Sequence, residues 1–141
     1  MKQKIIFRTA MMLALILGLT AMTSCDDDEY YSTDYDILTA YNWELVAING
    51  FPVSEIDVCE FEFYDFGNGL YGSYNSYGNW NTISINWELD YAPGGAQYLY
   101  VYPLDGYGQT WQYLMRLSGG YSPLLELNDL ATGDRLTFQA Y

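Results

Sequence analysis

The most regular feature of the chain is an alternation of apolar and polar side chains in short segments. Between Thr82 and Asp90 every second residue is apolar, and residues 59–63 alternate in the same way with an acidic opposite face. Such a period of two predicts β-strands with one buried face. The pattern predicts about eight short strands, over residues 43–48, 59–63, 70–77, 82–90, 98–102, 110–118, 124–127 and 135–141.

Turn signals separate these segments. They are rich in Gly, Asn, Asp and Pro and include Asn49-Gly50 and residues 65–69, 92–95, 119–120 and 131–134. Short strands joined in this way form either a sandwich or a barrel. Tight turns between successive strands favour an up-and-down meander, and closing it removes exposed edge strands. We therefore expect an all-β fold, a small up-and-down antiparallel β-barrel of about eight strands.

One short helix is expected before the first strand. Ser32, Thr33 or Asp34 could cap a turn that runs through residues 36–40, and Ser, Thr and Asp are preferred at that position. The segment is long enough for one or two turns at most.

The N-terminus has the organisation of an export signal. Lys2, Lys4 and Arg8 precede an apolar run, residues 10–22. This run of about 13 residues is too short to cross about 30 Å of hydrocarbon as a helix but suits a signal peptide. We expect residues 1–24 to be a signal peptide.

The residues that follow this run resemble the lipobox of bacterial lipoproteins. They read Met22-Thr23-Ser24-Cys25, with Met in place of the usual Leu. The resemblance implies that the chain is cut before Cys25 and that Cys25 is acylated on its thiol and on its new amine. Two or more acyl chains give stable membrane anchoring, where one is marginal. The alternative is an ordinary secretory signal with an incidental cysteine.

An acidic run comes directly after Cys25. Asp26, Asp27, Asp28 and Glu29 repel one another and stay solvated, which predicts an extended tether. A cysteine followed by acidic residues also resembles the export signal of surface lipoproteins in one large Gram-negative group. This implies an outer-membrane location facing the cell exterior. The predicted organisation is a signal peptide over 1–24, a lipidated cysteine and acidic disordered tether over 25–37, and a barrel domain over 38–141.

Charge and composition exclude several functions. From Cys25 onward the chain has 18 acidic side chains and only two basic ones, Arg116 and Arg135, a formal charge of −16. Nucleic acids and anionic lipid surfaces need clustered Lys and Arg, so neither is expected as a partner. The chain has no His, and no Lys after residue 24, which removes Ser-His-Asp, Cys-His, Ser-Lys and Schiff-base catalysis. We expect the protein to have no enzymatic activity, no cofactor and no metal site.

Three weaker patterns do not change this expectation. Gly67, Gly69 and Gly72 have the spacing of a dinucleotide-binding loop, but the Ser/Tyr/Asn segment after them is not expected to form the required helix. Glu60 and Glu62 lie about 6.6 Å apart on one strand face, a period typical of a solvated face. If Cys25 is lipidated, Cys59 has no disulfide partner and is expected to be a small buried apolar residue.

Aromatic residues are the strongest candidates for recognition. The chain has 16 Tyr, 4 Trp and 6 Phe, and Tyr combines a flat apolar face with a polar tip. Many tyrosines, Tyr71 among them, are expected in turns or on outer faces. The alternative is that they only cover a β-rich surface. The candidate ligand-binding residues are Trp43, Trp87, Trp111, Tyr98, Tyr100 and Tyr102.

The chain from residue 38 to 141 resembles the compact lipocalin-like domains of bacterial surface lipoproteins. The resemblance lies in Trp43 after a short helical turn, in Phe61 to Gly69, in Trp87 and in residues 136–138. The Gly-x-Trp signature of lipocalins reads Tyr41-Asn42-Trp43 here, and Arg135 is the candidate for the arginine that packs on that tryptophan. Residues 43–53 also resemble small β domains of the META/heat-shock lipoprotein type, without their Gly-Cys-Asn segment.

Two functions are consistent with these features. The first is a lipid-anchored, surface-exposed binding module that holds a neutral ligand, either an apolar molecule inside the barrel or a saccharide on its tyrosine-rich rim. The second is a non-enzymatic accessory subunit of an outer-membrane assembly, with a protein partner. An internal cavity would distinguish them, because aromatic side chains that fill the barrel leave no space for an apolar ligand.

Overall fold

The computed structural model describes residues 33–105 and 108–141, which form a closed antiparallel β-barrel of eight strands with one extra strand and one short helix. The predicted signal peptide, Cys25 and the acidic run lie outside these residues. Helix α1 is Asp34–Ala40, and a 3-10 turn covers Asp65–Gly67. The strands are β1 Asn42–Ile48, β2 Phe51–Pro52, β3 Cys59–Tyr64, β4 Asn68–Tyr74, β5 Trp80–Tyr91, β6 Gln97–Pro103, β7 Trp111–Ser118, β8 Leu124–Asp129 and β9 Arg135–Ala140.

The strands follow an up-and-down order. From β3 to β9 each strand pairs with the next, β1 pairs with β3, and β9 returns to pair with β1. The closing ladder aligns Trp43 with Ala140 and Ile48 with Leu136. The extra strand β2 pairs only with the end of β1. The predicted barrel is confirmed and the sandwich is excluded, because the closed ladder leaves a single wall.

The alternation of side chains fills the barrel interior as predicted. On β5, Ile85 and Trp87 are 0% and 4% exposed, whereas their neighbours Ser84 and Asn86 are exposed. β5 is longer than predicted because it starts at Trp80. The hydrophobic core cluster consists of Leu38, Trp43, Leu45, Cys59, Phe61, Phe63, Ile85, Trp87, Leu99, Val101, Tyr113, Met115, Leu125, Leu127 and Phe138.

Helix α1 packs onto the end of the barrel at which β1 begins. Thr33 caps it through a capping box with Asp36, in which each side chain bonds the backbone N–H of the other residue. Leu38 is fully buried, and its carbonyl accepts a 2.9 Å hydrogen bond from Nε1 of Trp43. Residues 34–37, at the end of the predicted tether, thus belong to this helix. Within the described residues, the helical part is too short to cross a membrane.

Candidate functional site

Aromatic side chains from opposite walls meet inside the barrel. β3 and β7 lie four places apart in the closed order of eight strands. Even so, the rings of Phe61 and Trp111 are in edge contact, with centroids 6.3 Å apart. The ring centroid of Tyr71 is 4.9 Å from that of Trp111. At this level the lumen is occupied by side chains.

The lumen is filled in the same way near helix α1. Trp87 contacts Phe63 at 5.3 Å and Tyr35 at 5.2 Å between ring centroids, and its Nε1 donates a 2.7 Å hydrogen bond to the carbonyl of Asn68. Trp43 is 0% exposed, and its N–H is also paired. Two of the predicted ligand-binding residues, Trp43 and Trp87, are therefore part of the packed core.

Tyr71 lies inside the barrel, so its predicted place on an outer face is wrong. It stands opposite Phe61 in the β3–β4 ladder, and its ring packs on that of Phe61 at 5.0 Å. Its hydroxyl interacts with the thiol of Cys59. Burial raises the pKa of Tyr71, and burial raises the pKa of the Cys59 thiol to about 11. Cys59 is a buried residue, as predicted.

The predicted packing of Arg135 on Trp43 is also wrong. Trp43 pairs with Ala140 at one end of the β1–β9 ladder, whereas Arg135 begins β9 at the other end and is exposed. Arg135 and Ala140 are five positions apart on the strand, about 16 Å at ~3.3 Å per residue. Arg135 instead lies beside Gly50, 3.5 Å from the place a β carbon there would occupy.

Three tyrosines form a row on the outer face of β6. Tyr98, Tyr100 and Tyr102 are half-buried and alternate with the core residues Leu99 and Val101. The rings of Tyr98 and Tyr100 are 6.5 Å apart with 36° between their planes. We call Tyr98, Tyr100 and Tyr102 the tyrosine row.

Polar side chains flank the tyrosine row on both neighbouring strands. The register places Asp90, Glu88 and Asn86 of β5 beside Tyr98, Tyr100 and Tyr102. On β7 it places Gln112 beside Tyr100. The hydroxyl of Tyr102 donates to Glu88, and this hydrogen bond raises the pKa of Tyr102 to about 12.

A surface cavity of about 580 Å³ adjoins the tyrosine row at the start of β6. Leu114, which lines it, stands opposite Tyr98 in the β6–β7 ladder. The side-chain amide of Gln97 donates to Asp34 at the start of α1, so the helix and the strand are linked there. The lining residues are Asp34, Gly94, Gly95, Ala96, Gln97, Leu114, Met115, Arg116 and Leu117.

A second surface cavity, of about 430 Å³, combines carboxylates with aromatic rings. We call it the acidic cavity, and its lining residues are Glu44, Glu55, Val58, Glu60, Tyr74 and Trp80. Sequence analysis missed this site, because Trp80 and Tyr74 lie outside the strictly alternating part of their strands. Within residues 33–105 and 108–141, no group of three Cys, Asp or Glu side chains converges closely enough to hold a metal ion.

Trp111, the remaining predicted aromatic, joins the core to the surface. Its ring packs against Tyr71 and Phe61 inside the barrel, but it also lines a third surface cavity of about 290 Å³. That cavity lies between the start of β7 and the end of β8. The six predicted aromatics are therefore not one site: Trp43 and Trp87 are core residues, three tyrosines form the tyrosine row, and Trp111 packs on the core and lines a separate surface cavity.

Comparison of the chain with protein-family models, with curated proteins and with solved structures gave no match. The proposals below therefore rest on the residues and geometry of this chain.

Proposed function

We propose that the protein is a lipid-anchored, non-enzymatic binding module, exposed on the cell surface, that holds an uncharged saccharide on the tyrosine row. The observation that carries the proposal is the position of Tyr98, Tyr100 and Tyr102 side by side on the outer wall, next to a surface cavity. The signal-like N-terminus, Cys25 and the acidic run support the anchored, external location.

The chemistry of the tyrosine row suits a sugar. A pyranose has apolar C–H faces, which stack on aromatic rings, and hydroxyl groups around its edge, which need hydrogen-bond partners. The phenol rings supply apolar area at low entropic cost. Asn86, Glu88 and Gln112 flank them with amide and carboxylate groups that can bond hydroxyls.

The charge of the chain favours a neutral ligand. With 18 acidic and two basic side chains after residue 24, the protein repels anions over most of its surface. Glu88 and Asp90 beside the tyrosine row add to this repulsion locally. Uronic acids, sulfated glycans and fatty acids are thus poorer ligands than uncharged sugars.

An apolar ligand inside the barrel is less well supported than a saccharide outside it. Such a ligand would have to separate Phe61 from Trp111, or Phe63 from Trp87, and break their ring contacts. Opening a close-packed core of this kind costs several kcal/mol for each large side chain, about 3–5 by comparison with truncation of Phe or Trp.

The second candidate function, an accessory subunit with a protein partner, is favoured by one group of exposed side chains. The connections β1–β3, β4–β5, β6–β7 and β8–β9 lie at the end of the barrel opposite α1. Each of them exposes at least one large apolar residue. These residues are Phe51, Ile56, Tyr77, Leu104 and Leu130. Exposed apolar patches are typical of protein interfaces.

Titration calorimetry with the purified protein tests these functions. We expect heat from a panel of neutral oligosaccharides, none from heparin, and loss of the saccharide signal in Tyr100→Ala. Tyr77→Ala is the matched control, since Tyr77 is exposed in the β4–β5 turn. Binding of a fatty alcohol instead of a saccharide would indicate that the ligand lies inside the barrel. No signal from either would favour the accessory subunit, and tight heparin binding would contradict the charge argument.

A further inference from the structure

The acidic cavity has an indole wall that is held in place by its neighbours. Trp80 lies over the backbone of Gly72, and Tyr74 packs on it edge to face, with ring centroids 5.0 Å apart and 76° between planes. Trp80 is nevertheless 40% exposed. The indole is therefore oriented, is not part of the core cluster, and has a face open to a ligand.

Carboxylates surround this indole without a cation to balance them. Glu44 and Glu60 are direct partners in the β1–β3 ladder, and like charges placed opposite each other destabilise a sheet. Glu60 is bonded by the hydroxyl of Tyr141. Among the residues that the structure describes, Glu44 and Glu55 have neither a hydrogen-bond nor an ion-pair partner. The two arginines after residue 24 do not line the cavity.

These two features together select one class of ligand. Aromatic faces attract cations, and Trp does so most strongly of the aromatic side chains. A hydrated metal ion would use only the carboxylates, and they do not converge on a metal-sized point. An organic ammonium uses both features, because its alkyl groups contact the rings while its charge offsets the carboxylates.

We propose that the acidic cavity binds an organic ammonium group, with Trp80 and Tyr74 contacting its alkyl substituents and Glu44 and Glu55 supplying the opposite charge. The ligand could be a free quaternary amine or the side chain of a lysine, which share this chemistry. The site lies on the wall formed by β1, β3, β4 and β5, and the proposal does not depend on saccharide binding at β6.

The test is a calorimetric and fluorescence titration of the purified full-length protein with choline. Its neutral isostere 3,3-dimethylbutan-1-ol has the same shape without the charge. We expect choline to bind and to shift tryptophan emission, the isostere to bind at least tenfold more weakly, and added salt to weaken choline binding. Nα-acetyl-lysine amide in a parallel titration distinguishes a primary from a quaternary ammonium; preference for either supports the proposal.

Variants assign the binding to this cavity. Trp80→Leu is expected to weaken choline binding about fivefold, the effect of losing one cation–aromatic contact at an exposed site. Glu55→Gln, in the loop before β3, tests the charge without touching the barrel. Glu126→Gln on β8 makes the same charge change outside the cavity and should leave binding unchanged.

Three results would overturn the proposal. If the isostere bound as tightly as choline, the site would recognise only the apolar groups of the ligand and not its charge. If Ca²⁺ bound in a way that depends on Glu55 and choline gave no response, the carboxylates would bind only a metal counter-ion and the aromatic rings would have no part in binding. Equal loss of binding in Glu126→Gln would mean that overall charge and not this cavity attracts the ligand.

Discussion

The indole of Trp80 lies directly on the backbone of Gly72. A β carbon at residue 72 would come within 2.3 Å of Cζ2 of Trp80. The absence of a side chain at Gly72 therefore lets the ring lie against the strand, where it contacts Tyr74 and forms the wall of the acidic cavity. A glycine in β4 thus positions a side chain of β5.

Alanine at two glycines of β4 should have very different effects. A β carbon at Gly69 would lie 2.2 Å from the carbonyl oxygen of Glu62, which is backbone and cannot swing away, whereas the obstacle at Gly72 is the end of a side chain. We expect Gly69→Ala to cost about 3 kcal/mol of unfolding free energy and Gly72→Ala about 1. Only the second should change Trp80 emission without a large change in stability, in urea denaturation followed by fluorescence. Equal costs would mean that the indole cannot move aside.

The register of β5 predicts opposite outcomes for two neighbouring residues. Ile85 is 0% exposed inside the barrel, whereas the side chain of Ser84 is on the solvent face. Ile85→Asp buries an unpaired charge and should abolish folding, while Ser84→Asp should change stability by about 0.5 kcal/mol or less. Thermal melts followed by circular dichroism measure both. A destructive Ser84→Asp with a tolerated Ile85→Asp would show that the register is inverted.

Stability should fall in alkaline solution because of Cys59. Burial raises the pKa of its thiol to about 11 in the folded protein. In the unfolded chain the pKa of a cysteine thiol is ~8.5. The folded state therefore keeps a proton that the unfolded state releases. The stabilisation is complete below about pH 8.5 and is lost as the pH rises towards 11, by about 3 kcal/mol in all.

Cys59→Ala provides the control for this pH dependence. The other titrating groups are present in both proteins. Burial, the main cause of the raised pKa of Tyr71, also remains in Cys59→Ala, although the contact with the thiol is lost. The difference in unfolding free energy between the wild type and Cys59→Ala should thus shrink between pH 8 and 11, as measured in urea. A constant difference over that range would show that the thiol does not titrate in this window.

The proposed membrane anchoring would depend on a single residue, Cys25. Cys25→Ala should leave the chain uncleaved or soluble, since the acyl chains supply the membrane affinity. Metabolic labelling with palmitate in the native host, followed by membrane fractionation, measures this. Cys59→Ala is a matched cysteine control and should be labelled like the wild type. Equal labelling of Cys25→Ala and the wild type would contradict the lipoprotein assignment.

Local patterns accounted for the eight barrel strands and for the helix start, but not for the extra strand β2. Thr33 caps α1 because a hydroxyl can bond the free N–H groups of a first turn wherever that turn is formed. Such patterns do not predict which residues far apart in the chain come into contact. Arg135 looked suitable for packing on Trp43 by residue type, but the β1–β9 register puts the two at opposite ends of the ladder.

The candidate site was only partly predictable for the same reason. Tyr98, Tyr100 and Tyr102 were found because they are neighbours on one strand face. Glu44, Glu55 and Trp80 were not connected, since they come from three separate segments that only the pairing of β1, β3, β4 and β5 brings to one cavity. Tyr71 was misplaced because the glycine-rich alternation around it does not distinguish an inner from an outer face.

The sequence by itself determined the strands, the face that each clearly alternating strand buries, the turns and the capped helix. These follow from the extended backbone, in which successive side chains point to opposite sides, and from local hydrogen bonds. Only the tertiary structure decided the register in which β9 closes on β1, that Phe61 and Trp111 meet across the lumen, and which aromatic faces stay open on the outer wall. The reason is that register and ring contacts join residues far apart in the chain, and their choice depends on how the whole interior packs.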